Sequence, residues 1–368
     1  MLDAPVTVPE VKTRINSEGQ LAGTFLVTGA TGFLGRQVIS ALHGNHPQAK
    51  ALNLVRSVAT WRGYDWTTPF DRVDLISGSV TKPDGWFDDP RLDGINGILH
   101  LAALVRHSRN EPYDIYETNV EGTLNMVRLA ARKKCRMIFV STSGTVGCFK
   151  SPKAWADENS AYCEQEVADW PYYHSKILAE RQARQLAKDL GVELVIIRPP
   201  VMLGPGDHRF RSTGHIIKHI LRKLPFLLHG GIHFTDIRDA STAILSAMQH
   251  PRPRPIYHLE GTACGVVQFF DMIEQVSGIP RPSPVLPFHP AWVLALIDER
   301  VGIITKGEAL HLLPDPVVVE MASRYWDVRS LWAEDELGYV ARDGLTTLRD
   351  TVGWLKDNHP EVGAVFSA

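Results

Sequence analysis

The sequence predicts an α/β fold: a doubly wound, mostly parallel sheet followed by a smaller C-terminal lobe. Three observations predict it. A short apolar run, residues 25–27, leads through Gly29, Gly32 and Gly35 into a helical pattern that reaches about Leu42. Apolar strand-like segments then alternate with helical ones as far as Pro200. Beyond Pro200 the alternation weakens, and prolines and apolar side chains fill residues 251–320. Strands joined through helices need right-handed crossovers, which pair the strands in parallel.

The elements follow in chain order. Residues 1–20, "MLDAPVTVPEVKTRINSEGQ", are polar and lack the apolar core of a secretory signal, so they read as a flexible lead-in. "TFLVTGATGFLGRQVISALHG" is a strand, a G-x-x-G-x-x-G turn and a helix. The glycines let the chain turn tightly and let backbone approach a pyrophosphate, while the helix start offers free N–H groups and the positive end of its dipole. The strand–turn–helix context separates this pattern from a glycine turn without a ligand. It marks residues 21–200 as a Rossmann-type dinucleotide-binding domain. "ALNLVRS" is a second strand, "RVDLISGSV" a third and "GILHLAAL" a fourth, followed by the helical "YETNVEGTLNMVRLAARKK". "RMIFVSTS" is a fifth strand and "ELVIIRPP" a sixth. Ligands of such sheets bind beyond the carboxyl ends of the strands, which here carry Gly29, Arg56, Ser79, Ala102, Ala103, Thr142 and Pro199.

Between the fifth and sixth strands lies "PYYHSK", residues 171–176. Pro171 suits the first turn of a helix and Gly191 its end. Tyr172 and Lys176 stand four apart and share a face; Tyr173 points partly aside. Alone, the pattern is equally that of two packed tyrosines on a surface helix. "STSGTVG" offers the hydroxyls Ser141, Thr142 and Ser143 at the end of the fifth strand. At the end of the second strand, where NAD sites usually hold an acid for the ribose 2′-hydroxyl, "NLVRS" has none. Arg56 there is placed to meet a 2′-phosphate with its guanidinium fork, with Arg36 able to help, so NADP(H) is expected over NAD(H). A solvated arginine is the competing reading.

"TGATGFLG", "LHLAA", "NVEGT", "VSTSGTVG", "YYHSK" and "RPPVMLGPGD" stand in one order over residues 24–207. In this the chain resembles the extended short-chain dehydrogenase/reductase family, in its epimerase/dehydratase branch. "SGTV", "YYHSKILAE", "LPFLLHGGIHFTDIRDAS" and "LVRS" look most like its dihydroflavonol reductase-like and 3β-hydroxysteroid dehydrogenase-like members. It departs from the family at Ser79, where an adenine-contacting Asp is usual, and at Gly147, which ends "TVG" where many sugar-modifying members have Tyr-Gly. The resemblance implies that Tyr172 is the catalytic phenol, Lys176 its partner and Thr142 the third member, with Ser143 as the alternative hydroxyl. A free phenol titrates near pH ~10, and the lysine and nicotinamide charges would favour its phenolate. The strand-end and glycine-turn readings and the resemblance together imply cofactor contacts from Gly29, Thr31, Gly32, Phe33, Leu34, Gly35, Arg56, Ser79, Val80, Ala102, Ala103, Asn119, Tyr172, Lys176 and Pro199. Ala102 and Ala103 would admit the ribose and pyrophosphate, Asn119 would tie its helix to the site, and Pro199 would line the nicotinamide. Simple packing competes at each of these, at Asn119 above all.

The chain has 368 residues, 44% hydrophobic and 22% charged, with a formal net charge of −2, and nothing in it advertises a nucleic-acid surface. Four cysteines, at 135, 148, 163 and 264, show no metal spacing and fit a reducing compartment, so a cytoplasmic location is expected. No uncharged apolar run reaches the ~20 residues of a membrane span, though contact with a membrane surface stays open. In "HRFRSTGHIIKHILRKLP", Ile216, Ile217, Ile220, Leu221 and Leu224 fall at helical spacing. His215 and His219 stand i, i+4 but have no third ligand or adjacent glutamate, and no metal is expected. Residues 201–368 are expected to form mainly the substrate lobe, with 232–250 returning to the main sheet, Asp236 and Asp239 being structural. Ile216, Ile217, Ile220, Leu221 and Trp292 are expected to line an apolar pocket, while most of Arg209, Arg211, Lys218, Arg222 and Lys223 are expected to face solvent, with one of them free to meet a substrate carboxylate or a lipid headgroup.

These readings lead to an NADP-dependent oxidoreductase that interconverts an alcohol and a carbonyl on a large hydrophobic substrate. Sterol, triterpenoid and flavonoid-like compounds are candidates, as is a 3β-hydroxysteroid dehydrogenase with decarboxylation. A nucleotide-sugar epimerase or dehydratase is the alternative enzyme, and a non-catalytic NADP(H) sensor the alternative of another class. A homodimer is expected.

Overall fold

A computed structural model describes residues 15–63, 72–304 and 315–367; residues 1–14 of the expected lead-in lie outside them. The first strands are β1 (Gly23–Thr28), β2 (Ala49–Val55), β3 (Val73–Ser77), β4 (Gly97–His100), β5 (Arg136–Val140) and β6 (Leu194–Arg198). They are followed by β7 (Val201–Leu203), β8 (Leu227–Leu228), β9 (Gly231–Asp236), β10 (Ile256–His258), β11 (Thr262–Gly265) and β12 (Val285–Leu286). The main sheet has seven strands in the order β10-β6-β5-β4-β1-β2-β3. All its pairings are parallel. This is the doubly wound Rossmann-type sheet expected from the sequence. The winding reverses between β1 and β4, where the carboxyl edge opens a crevice.

Helices cover both faces, which is why β4, β5 and β6 are buried at every residue and read as unbroken apolar runs. On one face helices Phe33–Asn45 and Ile237–Gln249 pack over Val27, Ala51, Ile138 and Val195. On the other, helices Gly122–Lys133 and Pro171–Leu190 pack over Leu26, Leu52, Phe139 and Ile196. Successive strand residues thus serve opposite cores. Helix Pro171–Leu190 starts with Pro171 in its first turn and ends at Gly191, whose φ of +65° is the left-handed stop that glycine permits.

The segment 232–250 divides. Its strand, β9, joins β7 and β11 in a separate three-stranded sheet, and its helix lies on the face of the main sheet. The chain then rejoins the main sheet through β10, which carries no clear sequence signal because it is three residues long and follows a proline-rich stretch. Asp236 caps the helix through the Arg238 N–H and holds the Arg238 guanidinium at 2.6 Å.

The outer lobe corrects one expectation. Ile216, Ile217 and Ile220 do not line a pocket. They close a core with Phe269, Phe270, Ile273 and Leu348, and Leu221 packs at its border. A stripe at helical spacing must be covered, and helices Val266–Ser277 and Gly344–Asn358 cover this one. His215 and His219 lie against the rings of Phe269 and Phe270. Arg209, Arg211, Lys218, Arg222 and Lys223 are exposed. Among the described residues no helix is long and apolar enough to cross a membrane.

Candidate active site

Parallel strands put all their carboxyl ends on one edge. Across that edge, in sheet order, stand Pro199 after β6, Thr142 after β5, Ala102 and Ala103 after β4, Gly29 after β1, Arg56 after β2 and Ser79 after β3. At about 4.8 Å per strand, Thr142 and Arg56 lie roughly 14 Å apart along it, a span that suits an extended dinucleotide.

The centre of the edge is built for close approach. Gly29 has a φ of +72°, and a Cβ there would meet the Ala102 nitrogen at 2.7 Å. A Cβ on Gly35 would lie 2.3 Å from the Gly29 carbonyl oxygen. Gly32 caps helix Phe33–Asn45 without a side chain, and no acid occupies the first turn, so the early N–H groups are free to receive an anion. Thr31 and Phe33 are half-buried and Leu34 is buried. These features fit the pyrophosphate of a dinucleotide.

At the β2 end Arg56 is exposed and, among the described residues, has no ion pair. Ser79 spends its hydroxyl locally, on the Thr81 N–H and Oγ1, and its carbonyl accepts from Trp86 Nε1 at 3.0 Å. Val80 is buried, its methyl filling the space a Cβ on Gly122 would need.

At the other end Lys176 is fully buried, donates to the Val140 carbonyl at 2.8 Å and lies 4.4 Å from the centre of the Phe139 ring. This pins the helix carrying Tyr172 and Lys176 to the end of β5, two residues before Thr142. Burial lowers Lys176 to about 7 and raises the Tyr172 phenol to about 12. The Thr142 hydroxyl oxygen accepts from the Gly144 N–H at 3.3 Å, which leaves its own proton to give away. Ser143 is buried, and its N–H donates to the Pro199 carbonyl at 2.9 Å. Tyr173 packs: it stacks on Trp326 at 5.1 Å and fills the space that a Cβ on Gly144 would need. Tyr172 is only half-buried, so of the two tyrosines it is the one with a face left open.

Asn119 sits in a π-turn, Glu117–Glu121, a helix defect frequent at functional sites. It exchanges hydrogen bonds with the Leu104 backbone and donates to Ser175 Oγ at 2.9 Å, so the structure joins it to the loop after β4 and to the Tyr172 helix.

Two features were missed from sequence. His107, in the loop after β4, meets the Tyr172 ring edge-on at 5.6 Å and stacks on Tyr173 at 6.0 Å. Glu320 accepts from Trp170 Nε1, Trp292 Nε1 and Arg109 Nη2 at 2.6–2.8 Å. A loop and a solvent-side helix show no periodic pattern; only the position of His107 just past the fourth strand could have signalled it. Arg109, Lys150, Trp170, Trp292, Glu320 and Arg324 line a cavity of about 590 Å³ that begins beside Trp170, one ring from Tyr173. Trp292 lines it as expected, but the walls are charged and aromatic rather than mostly apolar.

The sequence profile of the "NAD dependent epimerase/dehydratase family" matches residues 25–259. A Synechocystis sp. protein named "Putative dihydroflavonol 4-reductase" is 27% identical over 92% of this chain and 96% of its own. Sterol demethylase protein B of Methylococcus capsulatus is 26% identical over 75% of this chain and 81% of its own. Among solved structures, that of gox2253 superposes with a TM-score of 0.75 at 24% identity, covering 91% of this chain and 98% of that one, and supports the fold alone.

Proposed function

Because the chain belongs to the NAD dependent epimerase/dehydratase family, a nicotinamide-dependent one, we propose that it is an oxidoreductase that uses NADP(H) to interconvert an alcohol and a carbonyl on a bulky substrate with a large apolar part. The observation that carries this reading is the pinning of the Tyr172–Lys176 helix to the end of β5, beside Thr142, on the same edge as the glycine cradle. Gly29, Gly32, Gly35 and the helix start would hold the pyrophosphate; Ala102, Ala103 and Pro199 would flank the ribose and nicotinamide; Arg56 would receive a 2′-phosphate. The nicotinamide, when bound, supplies or accepts the hydride.

The protein's own residues handle the proton. Tyr172, held protonated by burial, gives its proton to a carbonyl oxygen in reduction and takes it back in oxidation. Thr142 donates its free hydroxyl proton to the same oxygen. Lys176 orients the ribose and, when charged, favours the phenolate. Names of relatives support a carbonyl on a polycyclic or phenolic skeleton. The charged and aromatic cavity suits a substrate with polar groups at its far end.

The test is a panel of flavonoid and steroid ketones and alcohols, with UDP-sugars in a parallel arm, followed at the nicotinamide absorbance. Tyr172→Phe should reduce turnover by ~10²–10⁴-fold with nucleotide binding kept, and Tyr173→Phe should do little. Arg56→Ala should weaken NADPH by about tenfold to a hundredfold and leave NADH unchanged. Turnover of the UDP-sugars alone, or equal losses in the two tyrosine variants, overturns the reading.

A further inference from the structure

A buried chain of hydrogen bonds runs beneath this edge, and its protons can be placed one by one. The Ala102 N–H donates to Thr28 Oγ1 at 3.2 Å, and Thr28 Oγ1 faces His100 Nδ1 at 2.7 Å. On the other side of the ring His100 Nε2 faces Thr123 Oγ1 at 3.1 Å, and Thr123 donates its only hydroxyl proton to the Asn119 carbonyl at 2.6 Å. Thr123 must therefore accept from the imidazole, so Nε2 carries a proton. Thr28 in turn needs an acceptor for its own proton, and a bare Nδ1 supplies one. Asn119 then gives its amide protons to Leu104 O and Ser175 Oγ, and Ser175 donates to the Tyr172 carbonyl at 2.7 Å. Every member is satisfied by one arrangement, with His100 neutral and protonated on Nε2. In the other tautomer the Thr123 hydroxyl would have to leave the Asn119 carbonyl to donate to Nε2, and the Thr28 hydroxyl would face the Nδ1 proton with no acceptor there for its own.

We propose that His100 is a positioning residue: its neutral imidazole couples the turn that receives the dinucleotide, at Thr28 and Ala102, to the Asn119–Ser175 contact that sets the helix of Tyr172. Its role for Tyr172 rests on the functional reading above. The surroundings hold it neutral. His100 has no exposed surface, the Phe139 ring lies 5.6 Å from it, and Lys176 sits on that ring. Lys176 is the charged group acting on it; burial first and this ammonium second lower the imidazole to about 3.

The test uses the full-length protein labelled with ¹⁵N in histidine, with and without NADP⁺. His100 should show a single protonated nitrogen, Nε2, and no titration from about pH 5 to about pH 8, where an ordinary histidine changes charge. In His100→Phe, amide exchange over residues 171–180 should quicken, while NADP⁺ affinity shifts by less than about threefold. Turnover of any ketone from the panel should fall by about ten- to a hundredfold with KM little changed, the size expected from a small misplacement of a reacting group. Asn119→Ala should give the same pattern, and the double variant should lose no more than the worse single one. If His100→Phe does not fold, His100→Gln and the spectra of the unmutated protein decide. An Nδ1-protonated ring, a titration near the ordinary value, or unchanged exchange over 171–180 overturns the proposal. The spectra and the exchange need no substrate, so absence of turnover across the panel counts against the functional reading alone.

Discussion

At Lys176 the demands of chemistry and of folding oppose each other. The folded protein holds this amine at about 7, against 10.5 for an ordinary lysine, because burial strips its water; the opposing pull of the Glu180 carboxylate is the smaller effect, and Glu180 is itself bound to Arg198 at 2.5 Å. Between those two pH values the unfolded chain binds a proton that the folded chain does not, so stability from this group rises as pH climbs from about 7 to about 10.5. Lys176→Met should remove that slope and leave the thermal midpoint at neutral pH equal or higher, while abolishing turnover; a marked fall in the midpoint would show that the Val140 and Phe139 contacts outweigh the burial. The i, i+4 spacing put Tyr172 and Lys176 on one face of the helix, but only the family resemblance singled out Tyr172 as the phenol. That Tyr173 is held by Trp326 was not legible, because 153 residues separate them and no local pattern joins them.

Helix Phe33–Asn45 shows how one element serves packing at one end and binding at the other. Gly35 faces the turn, where an added Cβ would strike backbone at 2.3 Å, whereas Gly44 is exposed with nothing within 4 Å of its Cβ position. Gly44→Ala should stabilise by about 0.4–1 kcal/mol, since alanine restricts the unfolded chain at no steric cost. Gly35→Ala should displace the turn and weaken NADP(H) binding at least about tenfold, because backbone cannot yield as a flexible side chain would. Calorimetry and nucleotide titration on both variants check the pair; a Gly35→Ala protein that binds normally would detach the cradle from the dinucleotide. The cradle and the first six strands were readable because each fits inside one local window and alternates with a helical pattern. β9 and β10 were not. A strand's partner is chosen by tertiary contacts, and β9 found β7 and β11 rather than the main sheet. The same limit misled the reading of Ile216, Ile217 and Ile220: spacing shows that a stripe is covered, not whether by protein or by ligand.

Over the whole molecule, buried neutral histidines make the fold sensitive to acid. Burial lowers His100 and His258 to about 3 and His215 and His233 to about 4, against 6.5 in an ordinary histidine. Below 6.5 the unfolded chain takes up protons that the folded chain refuses, so stability is lost as pH falls from about 6.5 towards 4. The thermal midpoint should drop steadily over that range; a flat profile would mean these rings are solvated. The central claim is that the carboxyl edge of the main sheet holds a dinucleotide with its nicotinamide at Tyr172 and its 2′-phosphate at Arg56. A crystal structure of the protein with NADP⁺ tests it most directly. The account predicts the nicotinamide ring beside Pro199, its ribose hydroxyls on Tyr172 and Lys176, the pyrophosphate over Gly32, and the 2′-phosphate on Arg56. A nicotinamide lying beyond β2 and β3, or a dinucleotide bound away from this edge, would contradict it.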